Sequence, residues 1–529
     1  ALIMPNVISR LERPGTYLRL PLEGFLAIGL ILLVPTGRAK RIIAGVLGAG
    51  LGVLTVMKML DMGFYKTLAR PFDPVLDWVL LDDAHSVLRD SVGRAGAIAV
   101  AVGVVLLVVL VLATMTLAAL RVAKVGVRHR RITAATAISG TAVWVVLLML
   151  GVHGLNGIPV AARSGYTYAW DRAKMVKGGL DDEREFAREV TVDAFATTPP
   201  DQLLTGLEGK DVMVTFVESY GRSAVQDPVL NAGVVKTLDE GTTTLQAAGF
   251  AAKSGWLTSP TSGGGSWLAH ATLLSGLRID SQQRYRNLTS SNRLTLSTLF
   301  QKANRDTIAV MPGNTRAWPE GNFYGYDRVF DSRNTGYAGP RFGWARQPDQ
   351  YTLSWFEKNV HSQAHQPYFV QMPLVSSHTP WAPLPTMIDW GQVGDGSIYH
   401  QLQKSAKKTG SIWGDPAKVR KEYARSIQYT LSAVTSWLEK YGDDDTVMVL
   451  LGDHQPAPIV VGDGASHDVP VTVIAKDPAV LERIAGWNWT DGLRPDAAAP
   501  VWPMEQFRDR FVTAYGPSGD VARALPAPR

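Results

Sequence analysis

The 529-residue chain contains no cysteine. Disulfides are therefore excluded, as are a thiol nucleophile and a thiolate metal site, so any reactive chemistry must come from oxygen and imidazole groups. Histidine is scarce too, with 10 in the whole sequence. No internal repeat is present, which excludes a solenoid or propeller. Polar residues are missing from long runs near the start: "AIAVAVGVVLLVVLVLATMTLAAL" has no polar face and is not the helix of an ordinary soluble core. The formal charge of +6 is largely explained by two short basic stretches, "GRAKR" (Gly37 to Arg41) and "RVAKVGVRHRR" (Arg121 to Arg131), and gives no argument for nucleic acid.

The composition changes sharply near residue 155. Before it, four apolar stretches at 19–36, 42–63, 94–120 and 133–154 are long enough to cross a bilayer, which takes roughly 20 residues for about 30 Å of hydrocarbon. They predict a helical transmembrane bundle over 1–155. Lys and Arg favour cytoplasmic loops, which puts both basic stretches inside and everything after residue 155 outside. Carried backwards, the same alternation implies a further span before Ala1. The loop "FDPVLDWVLLDDAHSVLRDSVG" (72–93) mixes apolar and acidic residues at helical spacing and predicts an amphipathic segment on the outer surface, either a structural lid or a lipid entry path.

Residues 156–205 are expected to form a connector that includes an exposed acidic helix, and the Pro/Gly/Ala-rich tail 517–529 is expected to be loose. Between 206 and 516 short β-branched runs alternate with helical patterns, which predicts an extracytoplasmic α/β domain with a mostly parallel central sheet. The clearest runs are 212–217, 307–311, 368–375, 446–451 and 469–475. Ligands of open α/β sheets collect outside the carboxyl ends of strands, so Glu218, His378, Asp453 and His454 are expected to converge. Carboxylate and imidazole together suit one divalent cation, Mn²⁺, Zn²⁺ or Mg²⁺. For "GDH" alone, an Asp helix cap beside a satisfied histidine is the plainer alternative.

"SPTSGGGSWLAHATLLSG" (259–276) adds a nucleophile. Gly263, Gly264 and Gly265 allow close backbone approach, and Ser266 opens a predicted helix running to about Leu277, whose first amides favour an anion. A serine hydroxyl beside a divalent cation is activated for attack. His270 lies one turn further on, either to touch substrate or to pack.

In this order, "VESYG", "GGGSWLAHATLLSG", "SSHTPW" and "GDHQ" resemble the membrane-bound sulfatase-like branch of the alkaline phosphatase superfamily, near the lipoteichoic acid synthases. The resemblance covers about 211–475. It implies that Glu218, Ser266, Asp453 and His454 bind one cation, with Mn²⁺ favoured. It also implies that Ser266 is the nucleophile, that His378 holds the substrate phosphate, and that Trp318 lines the same pocket. The implied reaction moves a phosphoglycerol-type group from a phospholipid, phosphatidylglycerol being favoured, to an envelope glycolipid or polymer at a bacterial cell membrane. A phosphodiesterase or sulfatase, or a non-catalytic envelope-binding scaffold, are the other readings.

Two departures from the family pattern matter. Sulfatases proper carry Cys/Ser-x-Pro-x-Arg for conversion to formylglycine, whereas here Leu268 and His270 follow Ser266. Lipoteichoic acid synthases flank the pocket tryptophan with His and Arg, where this chain has Met311, Pro312 and Glu320. Arg316 either replaces that charge or is simply exposed, so the donor head group stays open. His467, in "GASHDVP", binds substrate or a second metal ion, or is a loop histidine held by Asp468. His361 and His365, at i, i+4 spacing with no nearby acid in sequence, are expected on the surface.

Overall fold

A computed structural model describes residues 2–34, 37–68, 70–162 and 164–517. The expected loose tail falls almost wholly on residues outside that set. The chain forms two units, Ala1–Arg184 and Glu185–Arg529, with the division inside the expected connector.

The first unit is built on helices α1 (Leu22–Leu33), α2 (Arg38–Leu68), α3 (Leu80–Arg128) and α4 (Arg130–Met149). A parallel pair of two-residue strands, β1 (Leu20–Pro21) and β2 (Ala161–Ala162), ties the start of α1 to the segment after α4. Helix α5 (Ser164–Glu189) leads onward into the second unit. Among the described residues, three helices are long and apolar enough to cross a membrane: Arg38–Leu68, Gly93–Arg128 and Arg130–Met149. The first expected span, 19–36, is corrected by the structure: α1 has only 12 residues, about 18 Å of rise against about 30 Å of hydrocarbon. Proline explains its shortness, because Pro21 caps the helix at one end and Pro35 follows Val34 at the other. Within α3 the backbone breaks at Gly93 (φ 76°, ψ 170°), which separates residues 80–92 from the spanning part. The backbone of 80–92 is helical, and the side chains that would define its amphipathic face lie outside the described residues.

The second unit is an α/β domain around one nine-stranded sheet. In chain order the strands are β3 (Asp211–Val217), β4 (Ala251–Thr258), β5 (Asp306–Met311), β6 (Arg328–Asp331), β7 (Tyr368–Leu374), β8 (Thr446–Gly452), β9 (Asp468–Ala475), β10 (Thr490–Asp491) and β11 (Val501–Pro503). In space the order is β10-β4-β9-β8-β3-β7-β5-β6, with β11 also paired to β4. From β8 to β6 all neighbours are parallel, whereas β9 runs antiparallel to both β8 and β4. Central β3 is buried along its whole length because both faces are covered. Successive side chains point to opposite faces, so Met213 joins one core with Val310, Val370, Met448 and Trp437, and Val212, Val214 and Phe216 join another with Phe369, Val449 and Val471. Burying each such side chain contributes about 1.5–3 kcal/mol. That rigid double-faced packing fixes where the carboxyl ends of β3, β7 and β8 lie.

Candidate metal centre and active site

Glu218 directly follows β3, and Asp453 and His454 directly follow the neighbouring β8. The two strand ends are drawn together at Gly452, where an added Cβ would lie 1.8 Å from the Tyr220 carbonyl oxygen. Asp453 uses Oδ1 to accept from the Ser219 amide (2.7 Å) and from the His454 amide (2.7 Å). Ser219 itself takes a left-handed backbone (φ 57°), a conformation costly for a serine, and its carbonyl is pinned by the Tyr423 hydroxyl at 2.8 Å. From the other neighbour of β3, the Ser377 hydroxyl donates to the Glu218 carbonyl at 2.6 Å.

Ser266 arrives on the glycine loop. Gly263, Gly264 and Gly265 all have positive φ (78°, 155° and 83°), which a side chain would resist. The loop is tied to the β8 end by the Gly263 amide, which donates to the Gln455 carbonyl at 2.8 Å, and by the Ser259 hydroxyl, which donates to the Asp453 carbonyl at 2.6 Å. Helix Ser266–Ser275 then begins, and its first intrahelical bond is made by the Leu268 amide to Gly265 at 2.9 Å. The amides of Ser266 and Trp267 precede that bond at the positive end of the helix dipole. Gly276, left-handed at φ 67°, stops the helix at Ser275, two residues before the expected Leu277.

Four side chains from three distant segments therefore meet. The Ser266 hydroxyl donates to Glu218 Oε2 at 2.9 Å and lies 3.1 Å from His454 Nε2. His454 Nε2 is 3.4 Å from Glu218 Oε1 and 3.7 Å from Asp453 Oδ2. Ligand atoms of Glu218, Asp453 and His454 all fall within 4.8 Å of one another, and all three residues are buried. Asp453 Oδ2 is buried with no hydrogen-bond partner. A desolvated carboxylate oxygen left without a donor costs stability unless a cation meets it. Three hard oxygens and one imidazole nitrogen fit a divalent cation.

The electrostatics agree with that fit. Burial works against the Glu218 carboxylate, but the neighbouring imidazole of His454 outweighs it and holds Glu218 below the usual carboxylate range. Burial, reinforced by the charge of Glu218, pushes Asp453 up. Burial also opposes the charge on His454, yet Asp453 and Glu218 outweigh it and raise the imidazole to about 9. Two buried carboxylates thus draw a positive charge to their centre. His270 behaves differently: burial depresses it to about 3, so it is a neutral imidazole. Its Nε2 has no hydrogen-bond partner and stands 4.0 Å from Asp453 Oδ2, with the ring 4.0 Å from that of Phe216.

The centre opens into a cavity of about 310 Å³. His378 lines it, with Nδ1 2.6 Å from the Thr379 carbonyl and the ring stacked on Trp344 at 4.0 Å. Trp318 lines the cavity too, beside Tyr324 at 5.5 Å. Two other sequence candidates are not among its lining residues. Arg316 is exposed on the loop before Trp318, and His467 is exposed just before β9, while Asp468 engages Arg222 (3.0 Å) and Thr258 (2.8 Å) instead. Sequence reasoning missed Trp344, Tyr285 and Asn314, which line the cavity from loops and a short helix without a recognisable motif. A tryptophan isolated in the Gly/Arg/Pro-rich stretch "GPRFGWARQP" is the one available signal.

His365 is exposed as expected, whereas His361 is not, and the expected lack of an acid needs correcting. An acid does complete their surroundings, because Asp211 at the start of β3 places Oδ2 3.3 Å from His365 Nε2. His361 is buried, its ring nitrogens 2.9 Å from the Tyr368 hydroxyl and 3.2 Å from the Tyr441 carbonyl.

Residues 210–470 match the sulfatase family. No curated protein matches the sequence. Among solved structures, the chain is similar to the lipoteichoic acid synthase LtaP from Listeria monocytogenes, at 14% identity over 64% of this chain and 79% of that one, with a TM-score of 0.38. It is also similar to the phosphoglycerol transferase GacH from Streptococcus pyogenes in complex with sn-glycerol-1-phosphate, at 14% identity over 65% and 82%, TM-score 0.38. A third is the lipooligosaccharide phosphoethanolamine transferase A (EptA) from Neisseria meningitidis, at 13% identity over 94% and 87%, TM-score 0.44.

Proposed function

We propose, on the premise that residues 210–470 are a domain of the sulfatase family, that this membrane protein is a divalent-metal-dependent transferase of phospho-alcohol head groups. The donor is a phospholipid, with phosphatidylglycerol favoured, and the acceptor is a hydroxyl of an envelope glycolipid or polymer on the extracytoplasmic side. One observation carries the reading. The hydroxyl of Ser266 starts a helix, touches Glu218 and His454 at 2.9 and 3.1 Å, and faces a cavity beside an unpartnered Asp453 oxygen.

Glu218, Asp453, His454 and Ser266 Oγ would hold the cation, for which Mn²⁺ is the favoured identity. Such an ion supplies Lewis-acid charge that lowers the pKa of a bound hydroxyl and offsets charge developing on phosphorus. The chain's own groups do the rest. Ser266 Oγ forms a bond to phosphorus as the bond from phosphorus to the diacylglycerol oxygen breaks, leaving a phosphodiester on the enzyme. Its proton leaves along the hydrogen bond to Glu218 and passes to the departing diacylglycerol oxygen, and in the second step the acceptor hydroxyl's proton returns to Ser266 Oγ. His378, held by Thr379 and Trp344, binds a phosphate oxygen, and the helix-start amides of Ser266 and Trp267 face the developing charge. An acceptor hydroxyl then displaces Ser266 from phosphorus. Leu268 and His270 replace the Pro and Arg that accompany formylglycine conversion, which favours an unmodified serine and phosphoryl chemistry.

The test uses the full chain in mixed micelles with labelled phosphatidylglycerol or phosphatidylethanolamine and Mn²⁺. Diacylglycerol release is followed, together with the mass of the peptide carrying Ser266. The expected result is a trapped phospho-alcohol ester on Ser266 and loss of release in Ser266→Ala. Undiminished release by that variant ends the proposal.

A further inference from the structure

The unit Ala1–Arg184 contains a cavity of its own, about 380 Å³ in volume. Arg10, Arg13, Arg19 and Lys58 all line it, with Asn6 and Tyr168. Arg10, Arg13 and Arg19 bring three guanidinium charges to this one cavity, and these repel one another unless something anionic sits between them. Two acids, Asp61 and Glu23, lie near the cavity, and neither forms an ion pair with its arginines. Asp61, one turn beyond Lys58 on α2, is fully buried and spends its carboxylate on Arg172 (2.7 Å), Tyr168 (2.9 Å), Asn6 (3.2 Å) and the Phe72 amide (3.0 Å). Glu23 is the other acid whose charge reaches Arg19 and Lys58, and its Oε1 accepts the Tyr166 amide at 2.7 Å. Among the described residues no carboxylate lies within ion-pair distance of Arg10, Arg13 or Arg19, and Arg19 Nε is buried without a hydrogen-bond partner. Lys58 is held in place by donating to the Met4 carbonyl at 2.9 Å.

Depth and lining say what the missing anion is. Lys58 follows the first residue of α2, Arg38, by about 20 residues, or roughly 30 Å of helix. That is one hydrocarbon thickness, so the cavity stands at the level of lipid head groups. Ile158, Pro159, Met4 and Pro5 complete its wall with apolar surface, and exposed Tyr17 and Leu18 adjoin Arg19. Guanidinium groups match phosphate oxygens two at a time, a geometry no hydrated monovalent anion satisfies as well.

We propose that this cavity is a binding site for the phosphate of an anionic phospholipid, the arginines gripping the phosphodiester and the apolar wall meeting the glycerol and upper acyl chain. The site is separate from the Ser266 centre and stands whether or not head-group transfer is the reaction.

The full chain in neutral detergent is titrated with phosphatidylglycerol, phosphatidylcholine or inorganic phosphate, and retained lipid is counted by native mass spectrometry. The wild type is expected to keep phosphatidylglycerol in preference to phosphatidylcholine. Arg19→Gln is expected to weaken one bound lipid about tenfold, the size of one lost charged hydrogen bond. The exposed pair Arg10→Gln with Arg13→Gln is expected to act the same way, which keeps the idea testable where Arg19→Gln fails to fold. Ser266→Ala is expected to lose turnover and keep this lipid, so failure of the transferase reading is seen separately. Unchanged phosphatidylglycerol retention in both arginine variants, equal uptake of phosphatidylcholine, or saturation by inorganic phosphate with no lipid retained would each overturn the proposal.

Discussion

Strand β3 carries a carboxylate at each end, and each carboxylate has histidine company. At its amino end Asp211 meets His365 and His361; just past its carboxyl end Glu218 meets His454 and Asp453. The two clusters draw on the same residue types, one acid with two histidines against two acids with one, and each has ligand atoms within 4.8 Å. Their hydrogen bonding separates them. At the amino end Asp211 Oδ1 accepts the Tyr368 amide (3.1 Å), Oδ2 faces His365, and both His361 nitrogens have protein partners. At the carboxyl end Asp453 Oδ2 and His270 Nε2 have none, and a nucleophile stands on a helix start facing a cavity. Readiness for a cation lies in lone pairs the protein leaves unmet and in space beside them, not in a count of acids and histidines.

Breaking that contrast begins with the nucleophile. Ser266→Ala should lower head-group transfer by at least about 1,000-fold while leaving divalent-ion binding within about tenfold, measured by single-turnover diacylglycerol release and by calorimetry. Next comes the unpartnered acid: Asp453→Asn should weaken the divalent ion about 100-fold or more. Asp211→Asn should leave its stoichiometry and affinity unchanged, and a loss of ion binding in that variant would mean the two ends are not distinct. Trp344→Leu removes the ring stacked on His378 and should raise KM about five- to tenfold, with kcat held within about threefold. At saturating ion, about 100 times Kd, chelation should lower the melting temperature of the wild type by about 5 °C and leave Asp453→Asn unmoved.

The smallest effect is set by pH. Burial, with Asp443 and Asp445 nearby, pushes Asp211 up to about 7 from its ordinary 3.8. A carboxyl raised on folding contributes fully below its unfolded value, and the contribution is lost as pH rises through the folded one. Asp211→Asn keeps an acceptor for the Tyr368 amide and cannot ionise. Its melting temperature relative to wild type should therefore climb between about pH 4 and pH 7, by about 2–4 °C. A difference that is flat with pH would show that Asp211 is not strained by ionising.

Much of the fold could be read beforehand where apolar residues ran without interruption. All five of the clearest runs form strands of the central sheet, because a strand covered on both faces has no polar positions to blur it. Strand β4, "AAKSGWLT", escaped because Lys253 and Ser254 are met by side-chain partners, Asp491 (2.7 Å) and Thr472 (2.8 Å), that sequence alone does not pair with them. The first apolar stretch was over-read, since hydropathy averages across Pro21 and Pro35 while a helix does not. The acid beside His361 and His365 is not visible in the sequence, because Asp211 lies some 150 residues earlier and meets them only through the β3–β7 pairing.

Sequence by itself determined the local matters: apolar helices, an α/β alternation, a glycine loop ahead of Ser266, and acids and histidines at strand ends. Those follow from backbone conformation and hydropathy, which act over a few residues. Tertiary structure alone decided which polar atoms were left unmet. Asp453 Oδ2, His270 Nε2 and Arg19 Nε owe their state to neighbours tens to hundreds of residues away. Desolvation and pairing depend on distance in space, and the chain's order does not record it.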